Sequence, residues 1–309
     1  MPRPSEYLRD LLPMYNWTGQ TSGRRECMRS PTAGQAGSLT RTLQREHGDV
    51  FDSLGASATK LVRCIRAMAE VGKLALEERP DDKPHAGRVI VDGVLQQAHR
   101  YTLQVAPAVR KILAYEEAAS VSGFSDLVRR LGSKRVIGWK EGPVRDSLLV
   151  VADFFTAHNV DTYEEMVSWL EPMSNRDLLL NVTCGQKIGV FIPSNKTADY
   201  FRVLVHHWDA VAVDSAIIGF MEDCHLYEDW NRSFEYPEMR AIVQLAALGL
   251  KMLPVDLDWA IWEYKDKSKA APPPPIGRPN FRETKYCWNC AEKISRVAKY
   301  CPNCRAEQP

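Results

Sequence analysis

The sequence predicts an all-α fold with a small C-terminal appendage. Apolar residues recur at three- and four-residue spacings over most of the chain, as in Ala58, Leu61, Ile65 and Met68, which is typical of amphipathic helices. No run of alternating apolar and polar residues is long enough to form a large sheet. With 309 residues, of which 45% are hydrophobic, the chain is long enough for two domains with substantial cores.

Residues 1–120 predict an irregular arm followed by helices. Residues 1–36 mix Pro, Gly, Ser, Thr and Arg with little periodicity, so we expect either a solvated tail or a basic arm that touches DNA. Helical spacing starts at Leu39 and continues to Leu74, and the charged, proline-bearing stretch 77–84 ends it. Helical patterns follow at 94–98 and 109–113, and we find no catalytic constellation in this region.

Residues 121–267 predict a second helical domain of short helices and short loops. A helix that contains Phe124 stops at Gly132, and a strongly apolar helix spans 144–158. Acidic residues in the first turn predict a helix start at 161–165, and a capping-box variant with Ser174 and Asp177 predicts another. Further helices are expected at 239–250 and 257–264.

The stretch 192–215 organises this second domain. It predicts a loop, then an amphipathic helix with Ala198 and Phe201 on one face, then a polar turn. A further helix opens at Asp214, whose carboxylate can accept the free N–H groups of the first helical turn. Lys196, at the start of the first helix, precedes Asp214 by eighteen residues.

Lys196-Thr197-Ala198, one helix, Trp208 and then Ala212-Val213-Asp214 is a rare combination. It resembles the helix-hairpin-helix DNA glycosylases, in particular the endonuclease III-like branch, as does the later run Leu257-Asp258-Trp259-Ala260-Ile261-Trp262. The resemblance covers roughly residues 122–265 and implies that Lys196 opens the second hairpin helix and attacks the sugar. It implies that Asp214 is the catalytic carboxylate. It also implies that DNA is bound by the hairpin residues, which are Pro193, Ser194, Asn195 and Thr197.

The hairpin departs from the family pattern in its glycines. Family hairpins carry glycines because these let two backbone N–H groups approach a DNA phosphate, whereas this chain has Ile192-Pro193-Ser194, and Pro193 has no N–H. A second register is open, in which residues 182–187 form the hairpin and Lys187 takes the place of Lys196. Asp214 keeps its role in both registers. The four-cysteine iron–sulfur loop of the endonuclease branch is missing from its place.

A polar, aromatic segment at 225–236 follows the helix that Asp214 opens. Aromatic rings in such a segment either pack inside the domain or stack on a base that has been flipped out of the duplex. The candidate pocket residues are Tyr227, Trp230, Phe234 and Tyr236.

The C-terminal residues predict a linker and a zinc ribbon. Residues 268–285 contain four consecutive prolines, which favour a stiff polyproline II spacer. Residues 286–309 hold two Cys-x2-Cys pairs that can close a tetrahedral four-thiolate site, so we expect a structural Zn²⁺ ion. The ligands would be Cys287, Cys290, Cys301 and Cys304. Six basic and three acidic residues in 282–309, interleaved with aromatic ones, suit either DNA or a protein partner.

Composition limits the remaining possibilities. Forty basic and 39 acidic residues leave the chain near neutral, so a nucleic-acid surface has to be local. The first residues have no apolar signal region and no run of 18 apolar residues occurs, so we expect a cytoplasmic protein without a membrane partner, associated with the nucleoid if bacterial. The isolated Cys27, Cys64, Cys184 and Cys224 are expected to be free thiols.

Together these observations predict a DNA N-glycosylase, with or without AP-lyase activity, that excises a damaged or modified base. It would serve in repair or in defence against phage DNA that carries modified bases. The alternative is a non-catalytic nucleic-acid-binding protein that keeps a degenerate glycosylase fold.

Overall fold

The computed structural model describes residues 29–76, 83–96, 101–182, 194–229, 234–270, 284–286 and 293–295. All regular structure that it describes between residues 29 and 270 is helical, which confirms the predicted all-α class. The chain divides into two compact units. We call residues 1–79 with 213–309 the split unit and residues 80–212 the continuous unit. No helix in the described part of the chain is both long and apolar enough to cross a membrane.

The helices follow one another with short connections, as predicted. In chain order they are α1 (Ala33–His47), α2 (Phe51–Glu70), α3 (Ala86–Leu95), α4 (Ala106–Ile112), α5 (Val121–Leu131), α6 (Ser133–Val136), α7 (Pro143–Ala157), α8 (Tyr163–Leu170), α9 (Met173–Leu178), α10 (Asn195–Leu204), α11 (Ser215–Asp223), α12 (Tyr236–Leu250) and α13 (Pro254–Ala270). Short 3-10 turns lie at Gly48–Val50, Glu116–Ala119, Leu179–Asn181 and Leu226–Asp229, and a π-helical turn lies at Tyr101–Val105.

The core of the split unit lies where α2 packs along α12. Leu54, Leu61 and Ile65 of α2 are fully buried, as the three- and four-residue spacing of the sequence predicted. Helix α1 also contacts α12, and both α11 and α12 contact α13. The arm predicted for residues 1–36 lies outside the described residues up to position 28, and α1 starts at Ala33.

A disulfide joins Cys64 of α2 to Cys224, which follows the last residue of α11. The prediction that both cysteines are free thiols is therefore wrong. The two residues are 160 positions apart in the sequence, but their Cα atoms lie 5.9 Å apart in the split unit, within the range that a disulfide spans. Isolated cysteines carry no local sign of such a pairing, which explains the error.

Helix α3 is the buried element of the continuous unit, since all ten of its residues are buried. It contacts α4, α5, α7 and α10. Gly93 allows α10 to come close, because a Cβ atom at this position would lie 2.5 Å from the ring of Phe201. The guanidinium of Arg88 donates to the carbonyl oxygen of Leu204 at 2.9 Å, so α3 also satisfies the C-terminal end of α10.

Two predicted helix starts in the continuous unit had different outcomes. The start at 161–165 is confirmed, since Thr162 and Glu165 form a full capping box. The predicted cap at Ser174 is wrong because α9 begins one residue earlier, at Met173, and no side chain caps it. The N–H groups of Asn175 and Arg176 donate instead to the carbonyl oxygen of Pro172.

Two short strands, β1 (Thr284–Tyr286) and β2 (Lys293–Ser295), pair in antiparallel orientation with Tyr286 opposite Lys293. The connection between them contains Cys287 and Cys290 and lies outside the described residues, as do Cys301 and Cys304. A hairpin at this place is compatible with the predicted ribbon, whose zinc site stays a prediction.

Candidate functional site

Helix α10 begins at the predicted hairpin. Ser194 is its N-cap, since the side-chain oxygen accepts from the N–H of Thr197 at 3.2 Å. The hydroxyl groups of Ser194 and Thr197 lie 2.9 Å apart, and both residues are buried. The N–H groups of Asn195 and Lys196 donate to no residue that the structure describes, so this helix start keeps two free donors. Pro193 and the alternative hairpin residues 183–187 lie outside the described residues.

Lys196 is the second residue of α10 and is half-buried. Its ammonium group forms no hydrogen bond or ion pair with any residue in the described ranges. A lysine in this state retains a charge that neighbouring carboxylates do not neutralise.

The carboxylate nearest in sequence to Lys196 on α10 is engaged elsewhere. Asp199, only 1% exposed, accepts two hydrogen bonds from Arg176 of α9, from Nε at 2.9 Å and from Nη2 at 3.0 Å. This is the bidentate geometry that a guanidinium and a carboxylate favour. Arg176 also donates to the carbonyl oxygen of Asn195 at 3.1 Å, so it holds the start of α10 directly.

A second buried cluster fixes the C-terminal half of α10. Arg202 donates to the carbonyl oxygen of Leu170 at 3.2 Å and to Asp209 Oδ1 at 2.8 Å. The Nδ1 atom of His207 lies 2.6 Å from the same Asp209 oxygen and 2.9 Å from Arg202 Nη2. The backbone reverses through His206, which has a positive φ of 56°. These contacts make α10 a rigid support for the residues at its start.

One turn after Lys196, Tyr200 connects α10 to the buried helix α3. Its hydroxyl donates to Asp92 Oδ1 at 3.1 Å, and the hydroxyl of Tyr101 lies 3.5 Å from the other oxygen of the same carboxylate. Asp92 is 1% exposed. A buried carboxylate needs such donors, because leaving it unpaired would be costly.

Asp214 is the N-cap of α11, as predicted. Its Oδ1 atom accepts from the N–H groups of Ala216 at 2.7 Å and Ile217 at 3.1 Å. The residue is half-buried, and its Oδ2 atom accepts no hydrogen bond from any residue that the structure describes. One oxygen therefore fixes the carboxylate, and the other is left for a ligand.

Tyr236 holds the chain that leads into Asp214. Its hydroxyl oxygen accepts from the N–H of Val213 at 3.3 Å, and Tyr236 is buried at the start of α12. Among the predicted pocket residues, Phe234 is also buried, and its ring centroid lies 5.3 Å from that of Tyr227. Burial, followed by the charge of Glu222, raises the pKa of the Tyr227 hydroxyl. Trp230 lies outside the described residues.

The structure thus groups the predicted site residues in two places. Ser194, Asn195, Lys196 and Thr197 lie together at the start of α10, in the continuous unit. Asp214 lies at the start of α11, in the split unit, together with the aromatic residues of 227–236. In the described ranges no group of three or more His, Cys, Asp or Glu side chains could hold a metal ion.

Sequence analysis missed the charged residues that anchor α10, namely Arg176, Asp199, Arg202, His207 and Asp209. Their spacing resembles that of a solvated helical face, so no local pattern identifies them as buried. Tyr236 was predicted as a stacking residue, and its contact to the backbone before Asp214 was not foreseen.

Comparison with known proteins gives one match. The sequence profile of a family described as a domain of unknown function (DUF8548) matches residues 89–266, which is more than half of the chain. No curated protein and no solved structure matches the chain.

Proposed function

We propose that this chain, which belongs to the family described as a domain of unknown function (DUF8548), is a helix-hairpin-helix DNA N-glycosylase. Its substrate would be a damaged or modified base in DNA, in repair or in defence against phage DNA. The observation that carries the proposal is the state of Asp214, whose Oδ1 atom is fixed by two backbone N–H groups while Oδ2 has no described partner.

The chemistry of base excision needs a carboxylate in this state. Cleavage of the N-glycosidic bond transfers the bonding electron pair to the departing base and leaves positive charge on the sugar. A carboxylate that is held in place beforehand stabilises this charge without reorganisation during the reaction. Asp214 can supply that carboxylate through Oδ2, and the same oxygen can accept the proton of the attacking nucleophile.

Lys196 can supply the nucleophile for the lyase step. An amine that attacks C1′ of the sugar displaces the base and then forms a Schiff base, which leads to strand cleavage. A lysine held in an ion pair would have to break it first. Lys196 has no ion pair within the described ranges, and the two buried clusters on α10 hold its backbone in place.

The start of α10 also offers contacts to the DNA backbone. The N–H groups of Asn195 and Lys196 have no acceptor among the described residues, and helix N-termini attract phosphate. Ser194 takes the place of a family glycine and uses its side chain on Thr197. Anchoring by this hairpin would therefore depend on two N–H groups and on basic residues elsewhere.

The C-terminal ribbon would hold one structural zinc ion through Cys287, Cys290, Cys301 and Cys304. The β1–β2 pairing supports this part of the proposal, because the strands bracket the first cysteine pair. Whether DNA or a protein is its partner would follow from the binding of a chain truncated after Lys269.

A base-release screen tests the function. Purified protein is incubated with duplexes that carry deaminated, oxidised, alkylated and phage-type modified bases, and abasic sites are detected with an aldehyde-reactive probe. We expect abasic sites in at least one duplex and none in the unmodified control. If DNA is bound but no duplex yields abasic sites, the non-catalytic alternative replaces this proposal.

A further inference from the structure

The connection between α5 and α7 is a closed loop with an excess of positive charge. We call residues 132–142 the basic loop. The hydroxyl of Ser133 lies 3.3 Å from the carbonyl oxygen of Trp139 and 3.2 Å from that of Lys140. The N–H of Lys134 donates to Glu141 Oε1 at 3.0 Å. These contacts tie the beginning of the loop to its end, so its side chains start from a fixed backbone.

Four cations converge on this backbone. Lys134, Arg135 and Lys140 belong to the basic loop and are exposed. The fourth is Lys111, an exposed residue of α4 that lies across Gly138. A Cβ atom at Gly138, which has a φ of 84°, would be 2.5 Å from Lys111 Nζ. None of the four cations forms an ion pair with any residue that the structure describes.

The neighbouring cations are in a different state. Arg129 pairs with Asp153 at 2.5 Å and Arg130 pairs with Glu117 at 2.8 Å. The one carboxylate of the basic loop, that of Glu141, is engaged by the N–H of Lys134 and by Arg145 at 3.6 Å. The backbone N–H of Lys134 and further contacts to Ser133 lower the pKa of Glu141, so it stays ionised as part of this network. Carboxylates therefore neutralise the flanking arginines but not the four converging cations.

An uncompensated group of four cations on a fixed loop suits a polyanion. A single exposed pair contributes little in water, so useful affinity requires several contacts at once. Duplex DNA offers them, because it carries one charge about every 1.7 Å along its axis and releases counterions when lysines and arginines neutralise its phosphates. Phosphate contacts of this kind position a protein without reading sequence.

We propose that the basic loop, with Lys111, binds the phosphate backbone of DNA. The choice of DNA rests on the proposed function, whereas the presence of a polyanion site rests on the charges alone. The loop lies in the continuous unit, as does the α10 hairpin, whose glycines are missing. It would supply backbone affinity that the hairpin lacks.

The test measures binding to an unmodified, fluorescein-labelled 24-base-pair duplex by anisotropy between 50 and 200 mM salt. The loop variant is Lys134→Gln with Arg135→Gln and Lys140→Gln. The matched control is Arg41→Gln with Arg45→Gln and Arg63→Gln, which removes three exposed cations from α1 and α2 that also form no ion pair with a described residue. Both triple variants change the net charge equally, and thermal melts check that both fold.

We expect the loop variant to bind more weakly and to lose less affinity as salt is raised. With about 0.9 counterions released per contact, the loss of three contacts reduces the salt-induced fall in affinity about 40-fold over this range. The control variant should keep the wild-type salt dependence. Equal salt dependence of both variants would overturn the proposal. So would displacement of the duplex by polyglutamate at equal charge concentration, since this would indicate an acidic protein partner.

These outcomes can be told apart from failure of the proposed function, because binding to an unmodified duplex requires no chemistry. Wild-type protein that binds through the basic loop but releases no base would refute the glycosylase alone. Base release together with an unchanged salt dependence in the loop variant would refute this inference alone.

Discussion

Replacement of Asp214 by Asn separates its structural role from its proposed chemical role. The amide oxygen of Asn can accept from the N–H groups of Ala216 and Ile217, as Asp214 Oδ1 does at 2.7 and 3.1 Å. Only the interaction of the negative charge with the start of α11 is lost, which costs about 0.3–1 kcal/mol. We therefore expect a melting temperature within about 4 °C of wild type.

Base release should respond very differently. Loss of one preorganised electrostatic group from an active site commonly lowers the rate about 10²–10³-fold. Asp214→Ala should show the same loss of activity with an additional cap penalty of about 0.5–2 kcal/mol. The matched control is Ser120→Ala, which removes the cap of α5, an N–H acceptor at 3.0 Å, and should lower stability while leaving base release intact.

The measurement combines single-turnover base release on the substrate found in the screen with thermal melts of all variants. Full base release by folded Asp214→Asn would refute the proposed mechanism. A melting temperature lower for Asp214→Asn than for Asp214→Ala would instead contradict the cap geometry.

The other predictions concern four separate features. Lys196→Gln should abolish strand cleavage and borohydride trapping on DNA but leave some base release, and an adduct that persists would point to Lys187 or another amine. Asp199→Ala should lower the free energy of unfolding by about 3–5 kcal/mol in denaturant titrations, because it leaves Arg176 buried and unpaired; a loss below about 1 kcal/mol would contradict this. Metal analysis should find one zinc ion per full-length chain and none after truncation following Lys269, and zinc in the truncated chain would exclude the four-cysteine site. Burial, together with the charges of Lys83 and Arg88, lowers the pKa of His85, so stability should fall as pH drops below about 6.5; His85→Asn keeps a cap, and an equal pH dependence in that variant would count against His85.

The parts of the fold that were predicted are those that neighbouring residues determine. The buried stripe of α2 follows from helical spacing, and the caps at Thr162 and Asp214 follow from oxygens placed two or three residues before the N–H groups that they accept. The parts that were missed depend on residues far apart in the sequence. The disulfide of Cys64 joins positions 160 residues apart, and the split unit combines both ends of the chain.

The start of α10 shows why this distinction matters for the site. Lys196 and Asp199 are three residues apart on one helix, a spacing at which opposite charges commonly pair on the surface. The structure instead gives Asp199 to Arg176, which lies 23 residues earlier in the chain, and both are buried. Sequence spacing alone would therefore predict a neutralised lysine, whereas the fold leaves its ammonium group without a described partner. An amine that is to attack a sugar must be unpaired, so the distant Arg176 determines whether Lys196 can act as a nucleophile.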